Sequence, residues 1–416
     1  NRLTAQPEQN MGVEVLMRYT LRLLTIQQFE RSSGLIAVLE QKRSANSSEL
    51  GKKPISIGVW LGRDTTPNSR ADGLSELRDP KYRKEDSPNP FILTKCPICA
   101  AKFGWWEQPR KGTANSAGFW KGFSRVPNTG SKATIRFLCP DQDCVYGDVD
   151  NPLPIWITDE DVYEEQPTFI LGTVDKFAQL AWKEEAKSIF NIDSKGQRIG
   201  PPPALIIQDE LHLISGPLGS MVGLYEPVIE KLCTDTRGEK PVRPKIVAST
   251  ATTRNFVAQV RGLYGREKVM LFPQAIDRAN ETYFSTVMVD KETGEKEKGS
   301  LYLGVSPATF GSAQNAAAQL AAILKQAPNM VPDEKDQSMD FYRTSVWFFN
   351  SLKELGTTMT LMLSVTRDVI GGIRLGKRFP DGVDKGTYPN KILELTSRID
   401  SNKVSGALER LAKPSW

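Results

Sequence analysis

The chain has 416 residues, long enough for two or three domains with cores of their own, so no disulfide staple is needed. Lys plus Arg exceed Asp plus Glu by 54 to 49, a formal charge of +5 that is compatible with nucleic acid without requiring it. No stretch approaches the roughly 20 continuous apolar residues of a membrane span and no charged-then-apolar leader opens the sequence, so a cytoplasmic protein with no membrane partner is expected.

In chain order, short apolar runs end in small or polar residues: Val15-Leu16-Met17, Ile55 to Leu61, Phe169-Ile170-Leu171, Leu205-Ile206-Ile207 and Ile246-Val247-Ala248. Runs of this length fit strands buried on both faces of a parallel sheet. Helix-like segments such as Leu23 to Gln41 lie between them, and the alternation predicts an α/β fold. Ligands of such sheets gather at the carboxyl ends of the strands, which places Thr20, Gly62, Thr173, Asp209 and Thr250 on one rim.

Residues 91–150 interrupt this pattern with Trp105, Trp106, Trp120 and two cysteine pairs. Cys96-Pro97-Ile98-Cys99 and Cys139-Pro140-Asp141-Gln142-Asp143-Cys144 are C-x₂-C and C-x₄-C knuckles separated by 39 residues. In a reducing compartment such pairs suggest metal rather than disulfide, and four thiolates complete a closed tetrahedral site suited to structural Zn²⁺, with an iron–sulfur cluster as the rival. Trp105, Trp106, Lys111, Trp120, Lys121 and Arg125 offer rings and charges to a nucleic acid strand, although the plainer expectation is that the tryptophans surround the metal. Cys233 stands apart and reads as a buried core thiol.

Beyond residue 252 the pattern predicts a helix, then a hairpin pairing Ser285–Val289 with Leu301–Val305 around Lys291-Glu292-Thr293-Gly294, then an Ala-rich helix over Ala313–Gln326. Pro328 to Gln337 reads as a loop, and Ser345-Val346-Trp347-Phe348-Phe349 as the first strand of a second α/β unit. The expected organisation is 1–90 and 151–280 as the two parts of one lobe, 91–150 as an insertion within it, 281–340 as a connection, and 341–416 as the start of a second lobe.

Ile206-Ile207-Gln208-Asp209-Glu210-Leu211-His212 sets two adjacent acids just past a buried strand. Phosphoryl transfer is catalysed mainly by positioning and charge neutralisation, so one carboxylate is needed near the Mg²⁺ that bridges nucleotide phosphates and another to orient the attacking water. Asp209 suits the first role and Glu210 the second; an acid pair alone is more often an ordinary solvated strand end. Context changes that weighing. His212 is the only histidine in the chain, and Val247-Ala248-Ser249-Thr250-Ala251-Thr252 is a strand with a hydroxyl-rich turn that can reach back to the acids.

These two blocks resemble motifs II (DExH) and III (Ser/Thr-Ala-Thr) of superfamily 2 helicases. The resemblance implies RecA-like motor lobes, the first nearly complete and the second partial, with a zinc-ribbon-like insertion in the first. It implies ATP and Mg²⁺ as cofactors beside Zn²⁺, a catalytic set of Asp209, Glu210 and His212, and coupling of hydrolysis to movement through Ser249, Thr250, Ala251 and Thr252. Arg18-Tyr19-Thr20-Leu21-Arg22 through Gln28 is similar to motif Ia, and Gly172-Thr173-Val174-Asp175-Lys176-Phe177 to motif Ib. Together with the turn at Gly62-Arg63 they imply a track for single-stranded DNA along Thr20, Arg22, Gly62, Arg63, Thr173 and Lys176. Val346 to Leu352 is similar to motif IV, which brings in Ser351, and Glu394-Leu395-Thr396-Ser397-Arg398 reads as a further strand end. No Gly-x-x-x-x-Gly-Lys-Ser/Thr occurs, so two readings stay open: a phosphate-binding loop that precedes Met11 in a longer protein, or a degenerate motor.

Over roughly residues 11–400, the segments Val15 to Phe29 and Gln208 to Gly219 narrow the resemblance to the helicases of bacterial DISARM anti-phage systems. What that implies is a DNA-directed ATPase acting with a DrmB-like companion protein. A non-catalytic nucleic-acid-binding scaffold and a double-strand translocase are the alternatives.

Overall fold

The computed structural model describes residues 12–20, 22–63, 65–83, 89–108, 117–127, 129–130, 132–251, 255–273, 284–296, 299, 301–306, 311–326, 344–375, 392–396, 398–399, 407 and 410–411. Two compact units divide the chain, 1–271 and 272–416. In the first, the strands in order are β1 (Val15–Tyr19), β2 (Ile57–Trp60), β3 (Gly104–Gln108), β4 (Ala117–Lys121), β5 (Phe123–Val126), β6 (Thr134–Phe137), β7 (Ile155–Trp156), β8 (Phe169–Thr173), β9 (Leu205–Gln208) and β10 (Lys245–Ala248). Its helices are α1 (Arg22–Ala45), α2 (Ser47–Leu50), α3 (Arg70–Glu76), α4 (Asp159–Glu165), α5 (Gly216–Cys233) and α6 (Phe256–Tyr264).

Six strands form one sheet in the order β10-β9-β1-β8-β2-β7, every pairing parallel. All five strands expected from apolar runs are in it. Side chains alternate between its two faces, as a strand period of two requires. Tyr19, Ile57, Val59 and Leu171 face one core, shared with Phe29, Ile36 and Ala37 of α1. Leu16, Trp60, Ile170 and Ile206 face the other, shared with Phe177, Phe190, Ile229 and Cys233, the last buried as expected. Both faces are covered over β2 and β8, whose sequences read as continuous apolar runs, whereas β9 alternates buried with half-exposed residues and the edge strand β10 is largely exposed.

The cysteine-bearing segment does not carry a separate core. Phe91, Leu93, Cys96, Phe103, Phe123, Phe137, Cys139 and Tyr146 belong to the same cluster as the α1 face of the sheet. Tyr146 donates its hydroxyl to the Ala37 carbonyl at 2.7 Å, and a Cβ at Gly34 of α1 would stand 3.3 Å from the Pro97 carbonyl oxygen, so the helix lets the first knuckle lie against it. A buried polar network ties the far edge: Asp161 at the start of α4 accepts from Thr158, Thr134 of β6 and Arg70 of α3. The Thr158 hydroxyl in turn accepts from the Asp161 amide at 3.1 Å, a helix N-cap.

In the second unit α7 (Ala313–Gln326) and α8 (Leu352–Leu375) pack together, with Ala318, Ala322 and Ile370 buried and Thr366 donating its hydroxyl to the Ala318 carbonyl at 2.9 Å. Two strand expectations are corrected here. The hairpin reduces to a single antiparallel bridge between Val289 and Lys296, while Leu301, Tyr302 and Leu303 stand 79–91% exposed. Ser345–Phe349 likewise adopts no strand. Isolated strand pairs are marginal in water, and among the described residues of this unit no sheet offers either segment a partner. No helix among the described residues is long and apolar enough to cross a membrane.

Candidate functional site

The parallel register sets the carboxyl ends of β1, β8 and β9 side by side: Arg18 stands between Gly172 and Gln208, and Tyr19 opposite Thr173. Asp209 leaves β9 at this rim, its amide donating to the Arg18 carbonyl at 3.0 Å. Its carboxylate is half-buried and accepts from the Glu210 amide at 3.0 Å and from the Ser249 hydroxyl. The Tyr19 hydroxyl faces the same group; burial first, and Asp209 second, push that phenol well above its ordinary range.

Glu210 adopts a left-handed backbone, φ 52° and ψ 46°. A side chain in that region costs about 1 kcal/mol or more and is held only where neighbours over-determine it. They do so here. The next residue, Leu211, donates its amide to the Ser249 carbonyl at 2.9 Å, and Gln259 of α6 clasps the Leu211 and Ile214 carbonyls at 2.8 and 2.9 Å. The turn points the Glu210 carboxylate at His212 Nδ1, 3.3 Å away, and the Thr250 hydroxyl lies 3.3 Å from the same nitrogen. His212 also lines an open cleft of about 500 Å³ with Ser215, Asn255 and Phe256. The acidic box and the hydroxyl-rich turn, 40 positions apart at Asp209 and Ser249, are therefore one hydrogen-bonded constellation. Ala251 is exposed beside it, and Thr252 lies outside the described residues.

The track residues divide. The Thr20 and Thr173 hydroxyls are buried at adjacent strand ends with no hydrogen-bond partner among the described residues. Gly62 is half-exposed and Arg63 exposed at the end of β2. Arg22 opens α1, its side chain outside the described ones. Lys176 follows β8 but its ammonium is held internally: it is 2% exposed and paired with the buried Asp159 at 2.8 Å. A buried ammonium must be neutralised locally, and Asp159 does this. Ser351 and Arg398 belong to the second unit, where Ser351 caps α8 by accepting from the Glu354 amide at 3.2 Å and Arg398 is exposed.

Sequence reasoning missed the group beneath the rim. Arg18 is 1% exposed and forms a bidentate pair with Glu226 of α5, at 2.7 and 3.1 Å, with its guanidinium 5.7 Å from the Phe177 ring centroid. Burial opposes the charge most strongly of any one cause, but Glu226 with Tyr264 and Tyr225 together outweigh it and raise the guanidinium further. The pair fixes the helix that follows the acidic box to the strand that carries Tyr19 and Thr20. The signal was present: an arginine inside an apolar strand requires a buried acid.

At the cysteine module the four Sγ atoms lie within 4.8 Å of one another, with Cys99 and Cys139 3.3 Å apart and Cys96 and Cys144 4.0 Å apart. Four sulfurs held about 2.3 Å from one ion stand roughly 3.8 Å from each other, so the cluster has the size of a tetrahedral zinc site. Each pair is shaped by its own turn: the Cys96 backbone amide donates to the Ala101 carbonyl at 2.8 Å and the Cys139 backbone amide to the Tyr146 carbonyl at 2.8 Å. Burial pushes the Cys96 and Cys139 thiols up, so a cluster of thiolates calls for a cation. Trp120 packs against the core that contains Cys96 and Cys139 and meets Trp105, Trp106 is exposed, and Lys111 lies outside the described residues.

No protein-family profile matches this chain. It is 31% identical over 438 aligned positions to the DISARM protein DrmA of Bacillus paralicheniformis (strain ATCC 9945a / NCIMB 11709 / CD-2), an alignment covering 98% of this chain and 37% of that protein. The chain thus spans a little over a third of the length of the relative that it matches. The resemblance to a DISARM protein, read from Val15 to Phe29 and Gln208 to Gly219, is borne out in this relative.

Proposed function

We propose that this DrmA-like chain forms the hydrolytic and DNA-tracking part of an ATP-driven superfamily 2 helicase or translocase acting in bacterial anti-phage defence, with a DrmB-like companion. On this reading the six-stranded unit is a RecA-like lobe. The observation that carries it is the lacing of Asp209, Glu210 and His212 to Ser249 and Thr250 at the carboxyl ends of adjacent parallel strands. Asp209 would hold the magnesium ion of the nucleotide, and both carboxylates are half-exposed and oxygen-rich, as that ion prefers. The ion supplies charge neutralisation across the transferred phosphoryl group. Glu210, aimed by its left-handed turn, orients the attacking water and takes up its proton. His212 bridges Glu210 to Thr250, so a change in the state of the acids is felt in the turn that follows β10. The Arg18–Glu226 pair keeps the rim rigid while this happens.

The track on this reading is Thr20, Arg22, Gly62, Arg63 and Thr173, gripping the phosphates of single-stranded DNA. Phosphate contacts set affinity without reading sequence and weaken together as salt rises. Replacing Arg22 with Ala in the intact protein is expected to weaken binding of every sequence about equally and to flatten the salt slope by about one phosphate contact. Titrations across a salt series, with a melting curve on the same variant, check this. A lowered melting temperature with an unchanged slope would make Arg22 a helix brace and remove it from the track.

A further inference from the structure

The hairpin of β3 and β4 has one face that the unit uses and one that it leaves in water. On the inner face Trp105 and Trp120 meet edge to face, centroids 5.4 Å apart. Trp120 donates its indole N–H to the Leu77 carbonyl at 2.9 Å and meets Phe123 at 5.8 Å, which anchors the hairpin to the body. Gly118 lies beneath Trp105, where a Cβ would collide with the indole ring. The inner layer is a fixed support.

On the outer face Trp106 and Phe119 are direct cross-strand partners, 43% and 41% exposed. Lys121, on the same face, holds its ammonium 3.8 Å from the Trp106 ring centroid and 5.7 Å from that of Phe119. Lys95 and Lys102, bridged at the base of the hairpin and both exposed, extend the positive charge. A tryptophan that serves only the core turns toward it, as Trp120 does. Two rings set side by side in water on a rigid backing, with an ammonium against them, have the composition that single-strand binders use: faces for bases and a cation for the adjoining phosphate.

We infer that Trp106, Phe119 and Lys121 form a platform on which unpaired nucleobases of a single-stranded nucleic acid stack. Lys121 has a long mobile stem, so its ammonium moves to a phosphate as a base takes its place over the indole. A duplex hides its base faces and is refused. This rests on the DNA-handling reading above and deepens it, adding base stacking at the cysteine module to phosphate contacts at the rim.

The test compares an oligothymidylate with an abasic strand of equal length and charge, by anisotropy, on the intact protein. The native protein is expected to favour the oligothymidylate roughly tenfold or more, since each stacked base contributes measurably to affinity. The double variant Trp106→Leu/Phe119→Leu, which keeps apolar bulk without aromatic faces, is expected to lose that preference while retaining its affinity for the abasic strand and its metal content. A preference that survives in the double variant overturns the platform and leaves the rim track standing. Equal binding of the two strands by the native protein overturns it as well. Failure of the native protein to bind any strand overturns the platform together with the DNA reading on which it rests.

Discussion

Glu210→Gln in the intact protein is expected to lower DNA-stimulated ATP turnover by roughly a hundredfold or more while leaving ATP affinity nearly unchanged. The substitution preserves shape and the left-handed turn but removes the group that orients and deprotonates water. Binding survives because the phosphates are held elsewhere. Steady-state turnover and nucleotide affinity, measured on the same preparation, check it, and near-normal turnover would remove Glu210 from the mechanism. A second variant separates chemistry from backbone. Glu210→Gly also lacks the carboxylate, yet it relieves a φ of 52° that costs other residues about 1 kcal/mol. Its turnover should fall as far as that of Glu210→Gln, while its melting temperature holds or rises.

Removal of the metal is the second large effect. One Zn²⁺ per chain is expected on Cys96, Cys99, Cys139 and Cys144, and elemental analysis reads it directly. Structural zinc sites typically contribute on the order of 10 kcal/mol to the folding of their own module. Here the cysteine cluster shares its core with α1 and the central sheet. Loss of even part of that energy should lower the melting temperature of the six-stranded unit by roughly ten degrees or more, at about 2–4 °C per kcal/mol for a unit of this size. Cys139→Ser should behave as the chelated protein does. Coordination needs thiolates, so metal uptake should release protons and weaken as pH falls. Iron in place of zinc, or four freely alkylated thiols in metal-free protein of undiminished stability, would reject the assignment.

The middle of the sheet was legible because both of its faces are covered there: a strand with no wet face, such as Ile57 to Trp60, is a plain apolar run. Ile155–Trp156 was not, because two residues hold no period. Contact between the acidic box and the Ser249 turn was suggested by strand-end logic, but the left-handed Glu210 and the Gln259 clasp were not legible, since both depend on a helix that packs from elsewhere. The burial of Lys176 was not legible either: motif position marks the end of β8, but the pairing with Asp159, 17 residues upstream, follows from the fold. Ser345 to Phe349 reads as a strand by composition, yet composition cannot supply the neighbour that a strand needs.

The measurement that bears most directly on a DNA-driven motor is ATP hydrolysis by the intact protein with and without single-stranded DNA, in the presence and absence of magnesium. Slow turnover alone, strong stimulation by the strand, and loss of both on removal of magnesium are expected. Tight DNA binding with no hydrolysis, or hydrolysis indifferent to DNA, would contradict a DNA-driven motor.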